Sequence, residues 1–450
     1  MDQKRIKGRT ACRIICVSLG ILLLFGVQLS TIAQTPQKVT INFLNGWTGD
    51  RIPLIEEVIR RFEARYPWIS VVSQVVGPTE LGEKIMVSVV ANAAPDLVMV
   101  AFADSLRFGP QGLLTNLNSF IQKDGMQLKN YIYPAVVDQM TNHPMVNKGD
   151  LYFLPQMVAT SWFLYYNIDH FNESGLGEES VPKTWSQLEQ VARRLSRPAA
   201  DGTFDRLGID VANYKIAGPY MSWLESAGGY AYSEDMRRVV LGEPSSYGLQ
   251  TLEWIVNFTN EVNLGLANQE KLSGGGRTGF YNKQFSMLMD GSFASFQINS
   301  AAPDINLGVA AKPFRDGVEY RPTTSLSWGY GIPTNAPHPE EAWLFLKFLT
   351  MELEGGGYFM LQQGRPSASM QINNQRQYAQ TIAHWPLIQE TMNKSVPAAP
   401  TPPLGSVVDN TTKALVREAV TGQYSPQAAL ERAVNTWQNA LNDYWANVNK

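Results

Sequence analysis

The sequence predicts an α/β fold divided into two lobes, and three observations predict it. From Val39 to Val100 the chain reads strand, helix, strand, helix, strand, the unit of a mostly parallel sheet covered by helices. Residues 34–450, beyond an N-terminal leader, outrun the ~250–300 residues that one hydrophobic core serves. Both cysteines, Cys12 and Cys16, lie within the leader, so the rest is held by burial rather than by disulfides.

The leader comes first. Lys4, Arg5, Lys7, Arg9 and Arg13 precede an apolar run from Ile14 to Phe25, and Thr31-Ile32-Ala33 offers small residues for cleavage, a signal-peptide pattern over 1–33. That run is shorter than the about 20 residues a bilayer requires. Neither cysteine has the setting of a lipoprotein cleavage site, so a soluble periplasmic protein is expected. Five basic residues against one acid take +4 out of a whole-chain charge of −3, leaving −7 for 34–450. An acidic surface disfavours nucleic acid and anionic membranes as partners.

Val39 to Leu44 alternates as VTINFL and stops at Asn45-Gly46, a strand and its turn. Leu54, Ile55, Val58, Ile59 and Phe62 recur at helical spacing after Pro53, and Tyr66-Pro67 ends that helix. Ile69 to Val76 is a second strand, and Leu81 to Ala91 a second helix. Leu97 to Val100 is a near-continuous apolar run, as in a parallel strand covered on both faces. Ligands of such sheets bind at the strands' carboxyl ends, here Asn45-Gly46-Trp47 and Ala101 to Asp104.

Further on, Thr184 caps a helix that runs to Ser196, Tyr247 to Thr259 is amphipathic, and Phe285 to Leu288 is a short strand before Asp290-Gly291. Pro339 to Thr350 is helical. Four prolines keep Ser395 to Pro403 out of a helix, and two helical stretches close the chain near Asn449.

Few residues carry catalytic signatures. Gly274 to Gly279 matches GxGxxG in spelling, but a polar stretch rather than a strand precedes it, so a loop is expected. His143, His170, His338 and His384 are isolated, no GxSxG elbow occurs, and neither metal nor cofactor is expected. Two distant carboxylates of a glycosidase remain open as an alternative. Aromatics beside glycine stand out: Trp47, Tyr220 with Trp223, Tyr230, Trp328 and Tyr330. Flat rings of this kind stack on the apolar faces of sugars while amides and carboxylates take the hydroxyls, although core packing is the commoner use of any one of them.

In order along the chain, Asn45-Gly46-Trp47, Pro95 to Val98, Gly112-Leu113-Leu114, Leu151 to Pro155, Tyr165 to Asp169, Pro182 to Trp185, Met287 to Gly291 and Trp328 to Pro333 resemble the extracellular solute-binding proteins of sugar-importing ABC systems, the maltose-binding-protein-like group. The resemblance implies a type II-like periplasmic-binding-protein fold with a hinge and discontinuous lobes. One lobe is expected from 38–153 with 305–350, the other from 154–304 with 351–450. It implies a monomer without enzymatic activity that captures a carbohydrate and delivers it to an ABC permease.

Carried over residue by residue, it places Asn45, Trp47 and Asp50 in the cleft, with Asp104 after the third strand and Gln156 at the first crossover. Tyr220 and Trp223 resemble a sugar platform, Phe293 stands where tryptophan is common, and Trp328 resembles a cleft residue. Arg365 is a candidate for an acidic sugar, a phosphate or solvent. Phe293, and the lack of an aromatic in 396–403, depart from the maltodextrin pattern and favour another mono- or oligosaccharide. A receptor for glycerophosphodiesters or polyamines is the alternative within the binding class.

Overall fold

The structure, a computed structural model, describes residues 37–448 except 78, 217 and 273–275. The signal peptide expected over 1–33 lies outside the described residues. Among those described, no helix is long and apolar enough to cross a membrane.

The first sheet is built as its local periodicities dictate. Strands β1 (Val39–Asn45), β2 (Ile69–Val75) and β3 (Leu97–Ala101) are parallel, in register from Val39 opposite Ile69 and Phe43 opposite Leu97. Helix Ile52–Arg65 buries Ile55, Val58, Ile59 and Phe62, one stripe at helical spacing, and Pro53 lies in its first turn. Asp96 accepts from the backbone N–H of Asn42 and of His338, both at 2.7 Å, which ties β1 to the start of helix Pro339–Met351.

Strands β4 (Leu154–Pro155), β5 (Val158–Thr160) and β6 (Phe163–Asn167) follow one another in quick succession, and each joins a different sheet. After β7 (Arg197–Pro198) and β8 (Phe204–Ile209) come β9 (Phe285–Asp290), β10 (Leu307–Ala311), β11 (Thr323–Leu326), β12 (Trp328–Gly331) and β13 (Val396–Pro397). The first sheet has the order β2-β1-β3-β12-β4 and the second β10-β6-β9-β8-β7; β13-β11-β5 make a third, small sheet.

Residues alternate along β6 and β9. Leu164, Tyr166, Met287 and Met289 pack into the second lobe's core, whereas Tyr165 and Leu288 point the other way and join the first. Trp185, Trp223 and Trp254 centre the second core, with Trp185 and Trp254 stacked at 4.1 Å. The Thr184 hydroxyl caps helix Trp185–Leu195 by accepting from the Gln187 N–H at 3.3 Å.

The crossings differ from expectation. Leu307–Ala311 is antiparallel to β6 over five residue pairs, so the chain is still in the second lobe where 305–350 is expected to belong to the first. It returns through β11. Nor does it leave the first lobe near Thr350, because Phe359, Ile372, Trp385 and Met392 are buried in the first core. The last crossing is β13, after which Leu415, Ala419, Trp437 and Leu441 complete the second core. At the first crossing β4 remains in the first sheet, so the lobe boundary falls at β5 rather than after 153. All three crossing strands thus lie side by side in the small sheet.

One further departure concerns the glycine-rich stretch. Residues 276–279 open the short helix Gly276–Tyr281, because Phe280 is buried in the first core, while 274 and 275 lie outside the described residues.

Candidate functional site in the cleft

A cavity of about 160 Å³ draws on both lobes and on the crossing strands. Met157 and Thr160 come from the first crossing, Trp162 leads into β6, Phe293 follows the carboxyl end of β9, Ser327 precedes β12, and Arg365 follows helix Tyr358–Leu361. Its lining is mainly apolar with a few polar groups, the usual build of a small-molecule site.

The loop carrying Phe293 is held from several sides. Tyr165 donates to the Gly291 carbonyl at 2.7 Å, and the Gly291 N–H donates to Asp290 Oδ1 at 2.7 Å. Asp290, buried at the end of β9, takes a two-pronged contact from Arg277, including Nη2 to Oδ1 at 2.8 Å. That carboxylate keeps the Arg277 guanidinium more basic than usual. Two guanidinium groups then lie over the Phe293 ring, Arg277 at 5.2 Å and Arg365 at 4.5 Å from its centroid.

Arg365 is set by its neighbours in sequence. Gly364 has φ +61°, and a Cβ on it would fall 2.4 Å from Phe296 Cβ, so glycine alone fits. The Arg365 N–H donates to the Met360 carbonyl at 3.0 Å, and Nη1 approaches Met157 Sδ at 3.8 Å. Burial, followed by repulsion from Arg51 and Arg277, brings its pKa down to about 10.

Behind the cleft runs a buried relay. Trp47 Nε1 donates to the Tyr330 hydroxyl at 3.1 Å, and that hydroxyl donates to Gln156 Oε1, leaving Gln156 Nε2 without a partner among the described residues. Burial pushes the Tyr330 hydroxyl far above its ordinary pKa, so it stays a neutral donor.

Of the ten residues expected in the site, Phe293 and Arg365 line the cavity. Trp328 is adjacent through Ser327; its carbonyl accepts from Gln156 and Met157 N–H at 3.1 and 3.2 Å, and its indole packs half-buried on the first core. Gln156 and Trp47 lie in the relay, where the Trp47 ring packs on Phe359 at 4.9 Å rather than facing solvent. Asn45 is buried in its own turn, donating to Ser73 Oγ at 2.9 Å and accepting from the Trp47 N–H. Asp50 is exposed on the turn Gly49–Arg51. Asp104, its carboxyl pushed up by burial and opposed by Arg107, pairs with that arginine at 3.0 Å.

Tyr220 and Trp223 are corrections. Both are buried in the second core; Tyr220 donates to the Gly248 carbonyl and Trp223 Nε1 to the Val211 carbonyl, each at 3.1 Å, so neither ring presents a face to a ligand. Trp162 and Thr160, not singled out by their sequence context, take their place in the lining. The available signal was their position on the crossing between two apolar strands, at the carboxyl side of Leu151 to Pro155. A larger groove, about 720 Å³, is lined by second-lobe residues such as Tyr166 and Val181 together with Lys312 and Tyr320.

Two α/β lobes joined by three adjacent strands, with a cavity lined from both, define a two-lobe binding protein. The chain belongs to the bacterial extracellular solute-binding protein family, whose profile matches residues 48–352. A putative binding protein of Brucella abortus is 25% identical over 341 residues, 73% of this chain and 76% of its own. The Listeria monocytogenes ABC substrate-binding protein in complex with cycloalternan superposes with a TM-score of 0.70 at 18% identity, covering 91% of this chain and 100% of that one. The maltose/maltodextrin-binding domain of Bdellovibrio bacteriovorus bound to maltotriose gives 0.64 at 18% identity, covering 90% and 100%.

Proposed function

We propose that the protein is the periplasmic receptor of an ABC importer, that it captures a carbohydrate between its lobes, and that it works without a catalytic step. The observation that carries this reading is the cavity itself. Phe293 and Trp162 supply aromatic surface from the second lobe's side, Thr160 on β5 and Ser327 between β11 and β12 supply hydroxyls, and a ligand there touches both lobes at once. Only such a ligand favours a closed over an open arrangement. The oligosaccharides named for the Listeria and Bdellovibrio structures, and a mannitol-binding relative in Pseudomonas aeruginosa, support a carbohydrate cargo.

A thermal-shift screen of the purified protein against mono-, di- and oligosaccharides, with glycerophosphodiesters and polyamines alongside, tests it. A ligand at 100 times its Kd adds ~2.7 kcal/mol of stability. Stabilisation by a sugar that is recovered unchanged supports the receptor; release of a hydrolysis product means an enzyme instead. The accompanying reading of localisation is checked by the N-terminus of the exported protein, expected at residue 34, and of monomeric state by light scattering.

A further inference from the structure

We propose that the carbohydrate taken by this cleft carries an anionic group, a carboxylate or a phosphate, and that Arg365 is the residue that holds it; this rests on the receptor reading above. Arg365 is the one charged side chain in the cavity lining. Among the described residues no carboxylate lies within ion-pair distance of it. Its electrostatic surroundings are two further arginines, Arg51 and Arg277, against one carboxylate, Asp290. Asp290 is already occupied by both prongs of Arg277, and Arg51 directs its Nε to Gln363 Oε1 at 3.0 Å.

A guanidinium withdrawn from water without an anion is costly, and a thioether sulfur together with a phenyl face offsets only part of that cost. Yet the local chain is built to keep it there: Gly364 takes a left-handed turn where Phe296 leaves no room for a Cβ, and Pro366 follows. The planar fork of arginine matches the two oxygens of a carboxylate or phosphate. The Arg365 guanidinium carbon lies 4.5 Å from the Phe293 ring centroid, and Ser327 and Thr160 in the same lining suit the neutral hydroxyls of the same molecule.

The test compares matched pairs by calorimetry: galacturonate with galactose, glucuronate with glucose, glucose 6-phosphate with glucose, and glycerol 3-phosphate with glycerol. The expected result is at least tenfold tighter binding of the anionic member of one pair, falling at least tenfold in Arg365→Gln and only partly restored in Arg365→Lys, which keeps the charge but not the fork. The uronate and phosphate arms distinguish the two sources of charge. Equal or tighter binding of the neutral members, or unchanged preference in a folded Arg365→Gln, overturns the proposal while leaving the sugar receptor intact. Binding of none of these and of no oligosaccharide overturns the receptor reading itself.

Discussion

The Lys312 ammonium lies 2.7 Å from Glu225 Oε2 with its side chain wholly excluded from solvent. Through Oε1 the same carboxylate accepts from the Ser161 hydroxyl at 3.0 Å and the Thr323 hydroxyl at 2.9 Å. Ser161 directly follows β5 and Thr323 begins β11, while Glu225 belongs to helix Gly218–Ser226 of the second lobe. One carboxylate therefore fastens two of the three crossing strands to one lobe. Glu225→Gln leaves a buried cation without its counter-charge and is expected to cost about 3 kcal/mol in urea unfolding. An unchanged midpoint would mean that Lys312 finds another partner.

Phe293 and Trp223 are predicted to behave oppositely. Trp223→Ala opens a cavity in the second core and should cost about 3–5 kcal/mol of stability. Phe293→Ala sits at the cleft and should weaken the ligand found in the screen by about 1–3 kcal/mol with a much smaller effect on unfolding. Denaturant melts beside calorimetric titrations separate the two.

Gly364→Ala places a Cβ where φ is positive and Phe296 is in the way. The expected cost is about 2 kcal/mol or more, together with weaker binding, because Arg365 follows directly. Wild-type affinity and stability in this variant would contradict the tight fit of the Gly364 turn.

Two buried histidines set an acid limit. Burial brings both His143 and His170 down to about 4, below the ordinary value near 6.5. Between those values each of these histidines binds more protons in the unfolded chain than in the folded one, so their contribution to stability rises with pH through this window and falls as pH drops from about 6.5 to 4. The loss is expected to be of order 1–3 kcal/mol for each histidine. His143→Gln with His170→Gln should flatten the profile of Tm against pH; a profile as steep as that of the wild type would assign the acid sensitivity elsewhere.

Much of the first sheet was legible because its signals are local. Ile55, Val58, Ile59 and Phe62 announce a helix by spacing alone, and Leu97 to Val100 announce a covered strand. The crossings were not legible in the same way. Leu307–Ala311 is a short apolar run that would suit either sheet, and what assigns it is pairing with β6, some 140 residues earlier in sequence. The same limit applied to the site. Trp223 and Phe293 are both aromatics near glycines, and only tertiary packing decides that one fills a core and the other faces a cleft. Arg365 could be marked as a candidate, but its want of a carboxylate partner is a property of the folded neighbourhood.

The late completion of the second core bears on how such a chain is made. Trp437 and Leu441, beside Leu415 and Ala419, occupy that core, so it lacks one wall until the stretch from Ser406 to Leu441 has been made. A lobe that lacks a wall cannot bury its apolar surface, so the segments made earlier wait for contacts distant in sequence before they can pack. Order of synthesis and order of packing thus act together as a timer that delays compaction of the second lobe.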